Sequence, residues 1–308
     1  MVSDNQFRQI LRMTSPFTSK MNPNLRVIIA RIAKHPGIQT LLDPNSINLY
    51  SDIKRKRYLK EIEYFDGTKL LVDINEMIGF RAAVNGKWDP TTFNIVRKLR
   101  KRNTIFIDIG AHIGTTSIPV ANLGVKVISF EPNLDSAQLL INNILKNNLQ
   151  GIILLPIGLG SKKLSGKWKT LSAPIGNIAG STLITHWNYG KRLSRERDVF
   201  ISTLDECLLL IGLMSKSEDL IIKIDVEGFE REVMFGGANA IRIHRPIIIF
   251  ENNPSKIQSK DKIDEFYQIF SDYEFYSVSE DGVLNTFELK IRYENALAVP
   301  KEKLHFFK

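Results

Sequence analysis

Apolar and polar positions along this chain change their period near residue 100. Before it, Tyr58 to Phe65 and Lys69 to Ile74 alternate and flank Asp66-Gly67, the composition of a tight hairpin turn. Further upstream, Leu25, Ile28, Ile29 and Ile32 share one face of a short helix that opens at Asn22-Pro23 and closes at Pro36-Gly37. Met1 to Asn22 carry no periodic pattern, and Thr91 to Lys101 reads as a helix after the break Gly86-Lys87-Trp88-Asp89-Pro90. Beyond it, short β-branched and apolar runs alternate with longer amphipathic stretches. Strands are expected at Thr104 to Ile109, Lys126 to Glu131, Ile152 to Ile157, Leu220 to Val226 and Pro246 to Glu251. Helices are expected at Thr115 to Asn122, Leu134 to Asn147, Leu204 to Met214 and Phe229 to Ile241. Such alternation gives a parallel sheet with right-handed crossovers, which Tyr273 to Val278 and Ala296 to Val299 would finish as an antiparallel pair. The expected architecture is α/β and mostly parallel over residues 86–308, with an N-terminal extension of a helix and a β-hairpin over residues 1–85.

One connection departs from this scheme. About sixty residues separate the third and fourth strands, far more than a single crossover helix needs. The first part, GLGSKKLSGKW followed by APIGNIAGSTLITHWNYGKR, is glycine-rich with scattered aromatic residues. It reads as a functional flap beside a ligand crevice, with Trp168, His186, Trp187 and Tyr189 as the side chains on offer to a substrate.

Composition narrows the class without choosing a chemistry. A chain of 308 residues with 43% hydrophobic composition can bury a large core. Its longest apolar runs, Leu220 to Ile222 and Pro246 to Phe250, are too short to span a bilayer. Asp4, Arg8 and Arg12 interrupt any apolar signal core, so a cytoplasmic location is expected. The single cysteine, Cys207, excludes an intramolecular disulfide and lies in an apolar helical run, as a core residue would. The net charge of +9 gathers at Lys54 to Arg57, Arg97 to Arg102 and Lys191 to Arg197. Without interleaved aromatics or a nucleic-acid motif these clusters read first as solvated faces, and only second as a surface for nucleic acid or anionic lipid.

The chemistry gathers at the carboxyl ends of the expected strands. TIFIDIGAHIG reads as a buried strand entering a glycine turn and then a helix, whose start would present backbone amides to a ligand. Its spacing is Asp108-x-Gly110-x-x-x-Gly114, not the G-x-G-x-x-G of a dinucleotide site. A carboxylate ahead of the turn is poorly placed beside a pyrophosphate and well placed beside a cation, and S-adenosylmethionine carries two positive groups. Glu131, at the end of the next strand, stands where an acidic side chain takes both ribose hydroxyls. LIIKIDVEGFE then places Asp225 at a strand end with Glu227, Gly228 and Glu230 in the turn, and PIIIFENN adds Glu251 and Asn252. Asp108, Glu131, Asp225, Glu227 and Glu251 are thus expected to crowd one rim, a costly arrangement unless a cationic ligand, a metal or protons neutralise it. Two roles compete: a general base for an attacking hydroxyl, or Asp225, Glu251 and Asn252 as hard ligands for Mg²⁺ or Ca²⁺. Glu227 and Glu230 have a plainer role available, capping the helix that begins near Phe229.

The segments FIDIGAHIGTTS, ISFEPN, STLDE, IKIDVEGFEREVMFGGA and RPIIIFEN, in this order, resemble the FkbM family of S-adenosylmethionine-dependent methyltransferases. The resemblance runs from about Gly86 to about Val299, with KIDVEGFE its most distinctive piece. It implies a class I methyltransferase Rossmann-like sheet, S-adenosylmethionine as donor, and transfer to oxygen on a sugar, glycan, lipid or other natural product. On that reading Asp108, Gly110, Ala111, His112, Gly114 and Thr115 line the donor with Asn133 and Gly158, Glu131 holds the ribose, and Asp225, Glu227 and Glu251 face the methyl group. Asp89 departs from the glutamate expected in its element, and GLGSKK is less acidic than usual where adenine would lie. Two alternatives remain. A nucleic-acid methyltransferase would suit the charge, but the Asn/Asp-Pro-Pro-aromatic element of amine-directed members is replaced here by Asp225-Val226-Glu227-Gly228. A non-catalytic binding module on the same fold is the other. Acceptor, metal dependence and oligomeric state are left open.

Overall fold

The computed structural model describes residues 57–64, 67–174, 180–183, 194–215, 218–253, 269–279, 283–288 and 291–307. The expected helix after Asn22, and His186, Trp187 and Tyr189 of the flap, lie outside these residues. The chain divides into two compact units: Met1–Trp88 with Ala173–Gly180 and Asn188–Arg195, and Asp89–Ser172 with Ser181–Trp187 and Glu196–Lys308.

In the first unit the hairpin forms as its alternation requires. Strands β1 (Leu59–Tyr64) and β2 (Thr68–Asp73) pair antiparallel from Leu59↔Asp73 to Tyr64↔Thr68, burying Ile62, Tyr64, Leu70 and Val72. Helix α1 (Met77–Asn85) follows, an element the sequence reading did not anticipate. It lacks a side-chain cap at its start and is buried over much of its circumference, so it shows neither a start signal nor a clean amphipathic stripe. Asp73 Oδ1 organises the approach to it, accepting from the Tyr58 and Asn75 amides, both at 3.0 Å.

The second unit opens with α2 (Pro90–Leu99), capped by Asp89, whose carboxylate accepts from the Thr92 amide at 3.1 Å. Strand β3 (Thr104–Ile109) is buried throughout. Then come α3 (Ser117–Asn122), β4 (Lys126–Phe130), α4 (Leu134–Lys146) and β5 (Ile152–Leu155). Next are β6 (Gly158–Leu159), β7 (Lys167–Pro174), β8 (Ser194–Ser202) and α5 (Leu204–Leu210). The chain continues through β9 (Asp219–Ile224), α6 (Glu230–Gly236), α7 (Ala238–His244) and β10 (Ile247–Asn252). It ends with β11 (Tyr273–Val278), β12 (Leu284–Thr286), β13 (Tyr293–Pro300) and a 3-10 helix at Lys301–Phe307.

Eight strands form one sheet in the order β12-β11-β13-β10-β9-β3-β4-β5. The run β10-β9-β3-β4-β5 is parallel, and β13, β11 and β12 extend it antiparallel. The chain leaves β3 toward β4 and β5, then returns to the opposite side of β3 as β9, so strand order reverses between β3 and β9. In an open α/β sheet a ligand crevice forms outside the carboxyl ends at that point.

Two expectations need correction. The long connection, read as a flap without strands, contributes β6, β8 and β7 as a separate three-stranded sheet around Leu171, Val199 and Ile201, while most of the segment 175–193 lies outside the described residues. The single helix foreseen over 229–241 is two, α6 and α7, broken at Gly236-Gly237. There the backbone passes so close to Gly160 that a Cβ on Gly236 would lie 2.0 Å from its carbonyl oxygen. Cys207 is buried in α5, as its surroundings predict.

Candidate active site

The turn after β3 is built around Gly110. Its φ is +86°, and a Cβ there would lie 1.9 Å from the Asp225 carbonyl oxygen, so only glycine lets the β3 and β9 ends meet. The Gly110 and Ala111 amides both donate to the Phe130 carbonyl at the end of β4, at 2.9 and 3.1 Å, and Asp225 N donates to Ile109 O at 3.0 Å. His112 N goes to Glu131 Oε2 and Gly114 N to Ala111 O. Four amides of this turn are thus bonded within the protein.

Glu131 is the clearest of these. Just past β4, it accepts from the His112 and Asn133 amides, both at 2.8 Å, and is 7% exposed. Burial pushes its carboxyl up to about 7, against the lowering effect of the two amides. Each carboxylate oxygen keeps a lone pair beyond its amide bond, which leaves capacity for two hydroxyl donors. Asn133 caps α4 through a 3.0 Å bond from the Asp135 amide, and its Nδ2 donates to Ser181 Oγ at 3.3 Å.

Asp108, fully buried at the end of β3, accepts from Ser117 Oγ at 2.6 Å; Ser129 Oγ lies 2.8 Å from Ser117 and completes the chain. Burial raises the Asp108 pKa, only partly offset by Lys223 and Ser117. Its second oxygen, Oδ1, has no hydrogen-bond partner and lies 3.9 Å from Lys223 Nζ. Lys223 sits beside Asp108 in the β3–β9 register and holds Asp225 Oδ2 at 3.0 Å. Burial disfavours its ammonium, but Asp225 and then Asp108 outweigh that and keep the lysine charged. His112 takes a positive φ of 52° in the turn. Its buried Nδ1 lacks a partner, and burial holds the imidazole neutral, down to about 4.

The rim beyond β9 carries the second acidic group. Glu230 folds back on the turn, its Oε1 accepting from Val226 N at 3.2 Å and Gly228 N at 3.0 Å, so it braces the turn and does not cap the helix, whose start has no side-chain cap. Glu227 (φ +54°) offers its carbonyl to Thr182 Oγ1 at 3.0 Å. Ser181 and Thr182 therefore join the Asn133 end of the crevice to the Glu227 turn. Glu251 at the β10 end is held by Arg292 at 3.2 Å, and Asn252 donates to Ile291 O at 2.6 Å. The carboxylates share one edge as expected, but Lys223 and Arg292, which the sequence reading did not single out, lie among them. Among the described residues no group of three or more His, Cys, Asp or Glu side chains is arranged to hold a metal. Gly114 abuts Leu140 of α4, Ala111 and Thr115 are buried, and Gly158 lies in β6, where a side chain would meet Ile201.

This geometry fits a cationic nucleoside donor: a buried carboxylate oxygen that accepts no hydrogen bond, a second carboxylate fixed at the next strand end, and a glycine turn between them. A family model of the methyltransferase FkbM domain matches residues 108–276, more than half of the chain. The chain belongs to the FkbM methyltransferase family. No curated protein matches this chain significantly. Among solved structures, it is similar to an FkbM methyltransferase from Methylobacillus flagellatus: 18% identity, 69% of this chain and 48% of that one covered, TM-score 0.40. This chain thus spans about half the length of that relative. It is also similar to M. jannaschii TYW2 in complex with AdoMet (11% identity, 80% and 88% covered, TM-score 0.40). An O-methyltransferase from Bacillus cereus in complex with SAH gives 14% identity, 68% and 80% covered and TM-score 0.39. Among the described residues no helix is long and apolar enough to cross a membrane.

Proposed function

We propose that this chain is a cytoplasmic S-adenosylmethionine-dependent methyltransferase that methylates a hydroxyl oxygen of a sugar, glycan, lipid or other natural product. Residues from 86 onward form its catalytic domain and residues 1–85 are an extension. The observation that carries the reading is Glu131, a buried carboxylate preset by two backbone amides one strand away from the buried Asp108. When bound, the donor supplies an electrophilic methyl on a sulfonium centre.

The chain's residues then have separable tasks. Glu131 accepts the ribose hydroxyls. Asp108, whose Oδ1 is ion-paired with Lys223 but accepts no hydrogen bond, faces the donor's positive groups, with Ser117 fixing the other oxygen. The Gly110 turn, with Ala111, His112, Gly114 and Thr115, forms the near wall, and Asn133 and Gly158 bound the nucleoside end. Asp225, with a side chain 44% exposed, receives the acceptor's proton as the oxygen–carbon bond forms and the carbon–sulfur bond breaks. Lys223 orients that carboxylate. Glu227 and Glu251 flank it on the acceptor side.

S-adenosylhomocysteine at millimolar concentration is expected to raise the melting temperature of this protein. A radiolabelled-methyl assay against glycan and lipid acceptors should then show turnover that Asp225→Asn removes while the thermal shift persists. Equal background from both proteins, with the shift intact, would mean a binding module and not an enzyme.

A further inference from the structure

The basic run Arg97 to Arg102 contains no aromatic residue in sequence, yet the fold supplies it with two. Lys101 Nζ lies 4.8 Å over the Phe306 ring and Lys98 Nζ 5.9 Å over Phe307. The 3-10 helix that carries these rings is pinned from both sides. Arg245 donates to both Glu302 oxygens, at 3.0 and 2.9 Å, and Asp219 gathers Lys101 at 2.9 Å and Lys303 at 3.6 Å. Arg97, Lys98, Arg100, Lys101 and Arg102 are exposed, and Lys301 adds another exposed cation. Asp219 and Glu302, which lie within this surface, are both already ion-paired, and the exposed Asp272 borders it beside Lys301.

This patch lies at the amino ends of the strands. Lys101 is bonded to Thr104, the first residue of β3, and Thr104 is in register with Asp219, the first of β9. The donor crevice is at the other end of β3, six residues or about 20 Å away. We infer that this face docks on an anionic phospholipid bilayer. The basic side chains meet the headgroup phosphates and carboxylates, and Phe306 and Phe307 add apolar contact at the boundary. Charge complementarity also suits nucleic acid, but two features favour the bilayer. Each ring is half-buried with an ammonium over one face, a poor platform for stacking a base. A nucleic-acid acceptor would also have to reach the opposite edge of the sheet, whereas a membrane contact here leaves the crevice open.

The test is co-sedimentation of the full chain with phosphatidylcholine vesicles carrying roughly 30% phosphatidylserine, beside pure phosphatidylcholine vesicles and a nucleic-acid duplex. Binding to the anionic vesicles should exceed that to neutral ones by about tenfold or more at physiological salt and collapse at high salt. The double substitution Arg100→Glu with Arg102→Glu, both exposed, should weaken it about tenfold. A second variant, Phe307→Ser, should weaken it at high vesicle concentration without changing the salt slope. An unchanged thermal shift with S-adenosylhomocysteine shows that each variant is folded. Equal binding to neutral vesicles, equal binding by wild type and the double variant, or capture of the duplex in place of vesicles would each overturn the assignment.

Discussion

A carboxylate that accepts two backbone amides at 2.8 Å is oriented before any ligand arrives, and burial at the same position pushes its pKa up to about 7. Those two facts make Glu131 both the ribose holder and a source of pH dependence. Glu131→Gln keeps the shape and removes the charge; donor affinity by calorimetry should fall about 10- to 100-fold. In the wild type, affinity for S-adenosylhomocysteine should weaken as pH drops below about 7, because hydroxyls donate better to the ionised carboxylate. The variant should lose that dependence, and a wild-type profile flat from pH 5 to about 8 would remove Glu131 from this role. Lys223 acts at the same scale. Lys223→Met leaves Asp108 and Asp225 without their shared cation. Since Asp225 is partly exposed and can rehydrate, the loss should fall at the low end for a broken buried pair, about 3 kcal/mol by denaturant unfolding.

Elements meet here through backbone, and small changes at their ends carry far. A methyl at Gly110 would have to occupy the space of the Asp225 carbonyl in a conformation that L residues avoid, so Gly110→Ala should force β3 and β9 apart. The expected cost is about 2 kcal/mol or more, seen as a lowered denaturation midpoint together with loss of donor binding. Glu230 holds the turn after β9 by two backbone amides. Glu230→Ala should cost about 1–3 kcal/mol and lower methyl transfer more than donor affinity, because the turn carries Asp225 and Glu227 but not Glu131. Equal losses in both would place Glu230 in the core alone.

Across the whole molecule, the buried acids tie stability to pH. The carboxyl of Glu131 has a folded pKa above its ordinary value of 4.5, so the folded state holds the proton more tightly. Its contribution is fully present below about 4.5 and lost as pH rises through about 7. Asp108 has the same sign. Saturating S-adenosylhomocysteine offers hydroxyl donors and a cation to those carboxylates and works in the opposite direction. The gain in melting temperature on adding it should therefore grow between pH 5 and about 7.5, and a gain that shrinks over that interval would contradict the assignment.

The strand–helix order, the hairpin around Asp66-Gly67, the β3 and β11 boundaries, and the acidic residues at strand ends were legible in the sequence. Each is written in local period, β-branching and turn composition within a few residues. Helix α1 was not, because it is buried on most sides and has no cap to announce it. Nor was the sheet of β6, β7 and β8, whose strands are held by partners well separated in sequence. The sequence by itself determined that carboxylates would line one rim and that glycines would turn the chain there. Only the tertiary structure decided what stands between those charges. Lys223 comes from inside a strand and Arg292 from forty-one residues beyond Glu251, and the turn amides go to Phe130 and Glu131. Charge neutralisation acts through space, so which cation meets which carboxylate is fixed by register and strand order rather than by neighbours along the chain.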